Sequence, residues 1–199
     1  MTVSQTYLAG LQQAYARRGG ADEWARFAQV KQGISPADAA ALQAAYPHTP
    51  AALLELLAFA DGTYWHEYQG QTFSLFLLGS DVMEYPYYLL SARQMLESKS
   101  QQYLSDYIAR VYPAEDVAVD ERITRDAEHA RWLHFSDCMN NGGTSQLFID
   151  FTPSPSGKAG QIVRYLHDPD ELSVIADSFE EYLQHLIEDG YDFIQEDYF

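Results

Sequence analysis

From Thr2 to Ala60 the apolar residues recur at spacings of three and four, a pattern that predicts helices. Thr2–Arg18 carries Tyr7, Leu8, Leu11, Ala14 and Tyr15 on one face, and Gly19-Gly20 ends it. Asp22–Val30 is a second short helix with Trp24 and Phe27 inward, broken at Gly33. Ser35-Pro36-Ala37-Asp38 has the cap, first-turn proline and acidic residue of a helix start, and Pro47 stops that helix after Tyr46. Thr49-Pro50 repeats the signal before Ala51–Ala60, which carries Leu53, Leu54, Leu57 and Phe59. Asp61-Gly62 closes it.

The pattern then changes. Thr63–Leu78 has strand composition around Gln69-Gly70-Gln71 and predicts a hairpin whose second strand is Thr72–Leu78. Leu89–Val111 predicts a long helix ended by Pro113, and Tyr112–His129 a loop. Arg131–Ser136 and Thr144–Phe151 predict two strands joined by the Asn140-Asn141-Gly142-Gly143 turn. Thr152–Lys158 is a Pro/Ser loop, Gln161–His167 a third strand and Leu172–Ala176 a fourth. Ser178 and Glu181 have capping-box spacing before a helix that buries Phe179, Tyr182, Leu183, Leu186 and Ile187 and ends at Gly190.

Composition narrows the classes. A chain of 199 residues with 47% hydrophobic residues can bury a full core. The net charge of −17 disfavours nucleic acid and anionic membrane surfaces and favours a basic protein partner; solubility alone is the ordinary alternative. Cys138 is the only cysteine, so no internal disulfide can form, which fits a reducing cytoplasm. The first residues do not read as a signal peptide, and Ala51–Ala60 is too short to span a bilayer.

Catalytic arrangements are weak. Cys138 lies near His134 and Asp137, but on one strand Cys138 and His134 would share a face beyond hydrogen-bond reach. A thiolate also needs positive surroundings. His167-Asp168 and Asp150 match no metal-ligand spacing, and Asp168-Pro169-Asp170 reads as a turn. Asp150, between Ile149 and Phe151, either faces solvent or bonds the Asn-Gly turn. No catalytic, cofactor-binding or metal-binding residues are assigned. From Glu180 onward the chain carries Glu180, Glu181, Glu188, Asp189, Asp192, Glu196 and Asp197 with no Lys or Arg, among the aromatics Tyr191, Phe193, Tyr198 and Phe199. That stretch is either a solvated, frayed end or an interface with aromatic anchors.

The order Trp132, Phe135, Gly142-Gly143, Asp150, Gly160-Gln161, Val163, His167-Asp168, Ala176, Ser178-Phe179 and Leu183 resembles the SUKH superfamily, the Smi/Knr cell-wall-regulator family. In the front half, Pro50, Leu53, Leu54 and Leu57 lead to Asp61-Gly62, but the Leu-Pro dipeptide usual in the family is missing. The resemblance implies an α+β fold, a curved and mostly antiparallel sheet with helices packed on it, over residues 35–190. Residues 1–34 would be a helical extension and 191–199 an acidic aromatic tail. It also implies a non-catalytic protein-binding module without cofactor. The favoured role is an immunity-type protein that neutralises a toxin, such as a nuclease, by binding it in the cytoplasm. A regulatory protein that binds envelope or signalling proteins is the alternative, and a hydrolase using Asp150, His167 or Cys138 the third reading. The partner surface is assigned to Asp61, Tyr64 and Trp65, to Asn140 and Asn141, and to Glu188, Asp189, Tyr191 and Asp192.

Overall fold

Local signals set the helix ends. The structure, a computed structural model, describes residues 1–83, 85–98, 118–126, 128–139, 144–167 and 170–199. Helix α1 (Val3–Arg17) starts in a capping box: Thr2 accepts from the Gln5 backbone N–H, and the Gln5 side chain accepts from that of Thr2. Helix α2 (Ala21–Val30) follows, and α3 (Pro36–Ala45) is capped by Ser35. Helix α4 (Ala51–Phe59) has no side-chain cap; Thr49 instead donates its hydroxyl to the Tyr46 carbonyl.

The hairpin forms as two very short strands, β1 (His66–Tyr68) and β2 (Gln71–Phe73), paired only with each other. The expected second strand is split, because β3 (Phe76–Leu78) leaves the hairpin and joins the large sheet. A further strand, β4 (Tyr87–Leu89), occupies the start of the expected long helix. Ser91 and Gln94 then form a capping box for α5 (Ala92–Glu97), and the remainder of that expected helix lies outside the described residues.

Strand β5 (Ala118–Val119) lies within the expected loop. Then come β6 (Trp132–Met139), β7 (Thr144–Asp150), β8 (Gln161–Leu166) and β9 (Glu171–Ala176). The sheet runs β3-β4-β6-β7-β8-β9-β5, antiparallel throughout except for β5, which pairs parallel with β9. Helix α6 (Phe179–Glu188) takes its cap from Ser178. The Glu181 carboxylate accepts from the Asp177 N–H, one residue earlier than a standard box. At its other end, Gly190 N–H bonds the Ile187 carbonyl and Tyr191 N–H that of Leu186, a Schellman stop with Gly190 at φ 69°.

Strand alternation divides the core. Leu133, Phe135, Cys138, Leu147, Ile149 and Ile162 pack with the residues of α1, α2, α4 and α6, while Trp132, Phe148, Val163, Tyr165, Leu172 and Val174 form a second cluster with Ile123. The N-terminal helices belong to the first cluster: Phe27 is fully buried against Trp24, Phe59, Tyr68 and Phe73. At the end of the sheet, buried tyrosines satisfy carbonyls in and beside β3. Tyr15 donates to Phe76 O and Tyr7 to Leu77 O, both at 2.8 Å, and Tyr182 to Gly79 O at 2.6 Å. These tyrosines lie inside the core, where burial drives the phenols of Tyr7, Tyr15 and Tyr182 well above the usual range.

Candidate protein-binding surface

The loop after α4 is tied down almost atom by atom. Asp61 accepts from the Ala92 N–H at 2.8 Å, and burial raises its pKa. Gly62 sits at φ 92°, where an added Cβ would lie 2.5 Å from the Ser91 nitrogen, so this turn needs glycine. Thr63 N–H donates to Leu89 O, and Leu89 N–H returns to the Thr63 hydroxyl. Tyr68 OH donates to Gly62 O, and the Gln94 amide to Tyr64 O. The Tyr64 ring rests on Tyr88 at 5.2 Å. Trp65, next in the chain, is 59% exposed at φ 49°.

The acidic stretch lies beyond α6. Glu188 and Asp189 are exposed, and with Asp81 they edge a hollow of about 260 Å³ floored by Ile175, Tyr182 and Leu186. Tyr191 is buried instead: its hydroxyl donates to Tyr7 O at 3.0 Å and its ring lies 5.4 Å from that of Tyr7. Phe193 and Ile194 are buried too. Asp192 is exposed and reaches Arg18 at 3.6 Å. The tail closes with a 3-10 turn, Glu196–Tyr198, that lays Tyr198 on Phe76 and Phe199 on Tyr15. Asn140 and Asn141 lie outside the described residues.

Ring contacts join these two regions. Tyr64 meets Tyr88, Tyr88 meets Phe76 at 4.9 Å, and Phe76 meets Tyr198 at 5.1 Å. The track thus runs from the Asp61–Trp65 loop across β4 and β3 to the acidic tail. Neither Phe76 nor Tyr88 was singled out from the sequence. Their facing positions in the β3–β4 register are the signal that pairs them. Exposed Met83 lines a second groove with Arg18, Asp192, Glu196 and Asp197, and it too was passed over.

Elsewhere the titratable groups are structural. A bulge between His134 and Ser136 turns Cys138 into the main core, while His134 stacks on Phe148 on the other side of the sheet. They do not share a face, contrary to the expectation from simple alternation. Burial pushes the Cys138 thiol up to about 12, the opposite of an activated nucleophile. His134 is buried and held neutral, its pKa lowered to about 3; Nε2 donates to Ser136 O at 3.0 Å and Nδ1 accepts from Ser98 Oγ at 2.7 Å. Beside it, burial raises the Asp137 carboxyl to about 6.

Asp150 is buried, not solvent-facing, and accepts from Thr152 N–H at 2.8 Å and from the Gln161 amide at 3.0 Å. These partners lie in the 152–161 corner, and the Asn-Gly turn lies outside the described residues. His167 pairs with Asp170 at 2.6 Å, and Asp168 lies outside the described residues. The Arg164 guanidinium, 4% exposed, is clamped by Asp81 and Glu171, a network not anticipated from the sequence. Among the described residues no cluster of three or more His, Cys, Asp or Glu could hold a metal ion, and no helix is long and apolar enough to cross a membrane.

No curated protein matches the chain. The model of the SMI1/KNR4 family (SUKH-1) matches residues 33–185, from the link between α2 and α3 into α6. With most of its length covered by that match, and with a mostly antiparallel sheet flanked by helices, the chain belongs to the SMI1/KNR4 family (SUKH-1).

Proposed function

We propose that this chain is a non-catalytic, cytoplasmic protein-binding module of the immunity type, which neutralises a basic toxin by tight association. A nuclease is the favoured toxin class. Family membership over residues 33–185 carries the reading, and the −17 charge supports a basic partner. In this reading the partner surface comprises Asp61, Tyr64 and Trp65 at one end of the aromatic track and Glu188, Asp189 and Asp192 at the other, with Asn140 and Asn141 as further candidates. Residues 191–199 serve as an acidic aromatic tail to a domain spanning 35–190, and residues 1–34 extend it. Acidic side chains would occupy the surface on which a toxin holds phosphates.

The test is affinity capture from the source organism with the full chain as bait, at moderate salt. A basic, toxin-like partner whose retention falls as salt is added is the expected result. Recovery of no specific protein would sink the proposal. Membership of the SMI1/KNR4 family (SUKH-1) is compatible with a second reading, a regulatory interaction protein of the cell-wall-assembly type. Enrichment of envelope or signalling proteins would favour that one.

A further inference from the structure

Of the three tryptophans, Trp24 is 5% exposed and Trp132 is 2%, whereas Trp65 is 59% exposed. Among the described residues, Trp65 is also one of three non-glycine residues at positive φ, a conformation that a bulky side chain rarely adopts. The other two have local explanations. Gln69 at φ 52° precedes Gly70 at φ 76° in the two-residue hairpin turn, whose geometry demands both. Tyr191 follows the helix stop at Gly190, and its ring is buried with its hydroxyl bonded. Trp65 gains no comparable burial. The preceding residues are fixed through Ala92, Leu89, Tyr68 and Gln94, so the indole is held out from a rigid base. A strained backbone that presents a large aromatic ring to solvent is a mark of a binding position.

The charges nearby indicate what the ring receives. The ionisable groups acting on Asp61, Tyr64 and His66 include Asp38, Glu67, Asp137 and Arg93; burial lowers the pKa of His66, which also acts on Asp61, and raises that of the Cys138 thiol, so with Asp61 four carboxylates oppose one guanidinium. An electron-rich indole face in a negative field attracts a cation, and a guanidinium can also stack on it. We propose that Trp65, in the acidic segment Asp61–Glu67, is the anchor that takes an arginine side chain from a basic protein partner. The proposal rests on the protein-binding reading above and adds the contact residue and its ligand chemistry.

The test uses the full chain and a short arginine-rich peptide, with a citrulline-substituted peptide as the neutral isostere. Binding is read by peptide fluorescence anisotropy. Saturable binding of the arginine peptide is expected to weaken about tenfold in Trp65→Ala and less in Trp65→Phe, which keeps an aromatic face. The citrulline peptide should not bind. Glu128→Gln, an exposed charge change outside the proposed partner surface, should leave the affinity unchanged. Equal binding by wild type and Trp65→Ala, or no saturable binding by the wild type, overturns the anchor. Affinity capture with Trp65→Ala as bait separates the two claims: a partner retained equally by wild type and variant refutes the anchor and leaves the protein-binding reading standing, while absence of any partner for the wild type refutes that reading. The variant's unfolding midpoint shows that any loss is not misfolding.

Discussion

Replacing Asp137 by asparagine is expected to stabilise the protein at neutral and alkaline pH and to do almost nothing in mild acid. The Asp137 side chain is 17% exposed. The Gln146 amide stands at 3.4 Å, beyond a good hydrogen bond, and the Cys138 N–H offsets burial only in part. Burial therefore dominates and lifts the carboxyl from 3.8 to about 6. A carboxyl whose folded-state pKa is raised contributes stability that is fully present below its unfolded value and lost as pH rises through the folded one. Above that point the ionised group costs about 3 kcal/mol, at roughly 1.4 kcal/mol per pH unit of displacement.

Asparagine is neutral throughout and keeps the shape, so the gain at pH 8 should be about 1–3 kcal/mol, the lower figure allowing for residual solvation. In a chain of this size that is a rise of several degrees in unfolding midpoint, at about 2–4 °C per kcal/mol. Urea unfolding of both proteins between pH 4 and pH 8 measures it. Nearby His134 works in the opposite sense. Its folded pKa is depressed, so stability falls as pH drops below the ordinary imidazole value towards about 3. That loss is common to both proteins and cancels in the difference. A gap of the same size at both ends of the range, or a variant less stable at pH 8, would refute the reasoning.

Three further outcomes follow from the packing. Phe27→Ala should cost about 3–5 kcal/mol in urea unfolding, because a fully buried ring amid four other aromatics cannot be replaced by collapse of its neighbours. Tyr7→Phe should cost about 1–3 kcal/mol, since it leaves the Leu77 carbonyl without the hydroxyl that satisfies it. Trp65→Ala should fall within about 0.5 kcal/mol of wild type, as expected for an exposed side chain, and thermal unfolding would show it.

The helices of the first sixty positions could be read because periodicity and stop signals coincide within each, joined by a cap signal in α1 and α3, as at Ser35-Pro36 and Pro47. The strands of the last third could be read for a similar reason, since Gly and Pro punctuate apolar runs there. What escaped depended on partners distant in sequence. Leu89 is as apolar as any helical residue, and only its exchange of hydrogen bonds with Thr63 and its register with Ser136 on β6 make it strand. The bulge in β6 carries no sequence mark, yet it decides that Cys138 and His134 part company. The tail could be read only halfway: its carboxylates do face water, but Tyr191 and Phe193 turn inward because α1 and β3 offer them a surface that local pattern cannot reveal. At the candidate site, Trp65 was assigned to the partner surface from the sequence, whereas its left-handed backbone could not be read there.

The phenol hydroxyls along β3 bear on how this protein can be cut. The family match begins at residue 33 and ends at residue 185. Tyr7 and Tyr15 lie before it, and Tyr191 and Phe193 after it. A fragment trimmed to those limits would keep every strand of the sheet and yet strip the cover from its first strand. The bared carbonyls of Phe76 and Leu77 would then stand open as a template for another chain, the usual route to edge-to-edge association. Such a fragment is expected to self-associate, although all the residues that define the family are present in it.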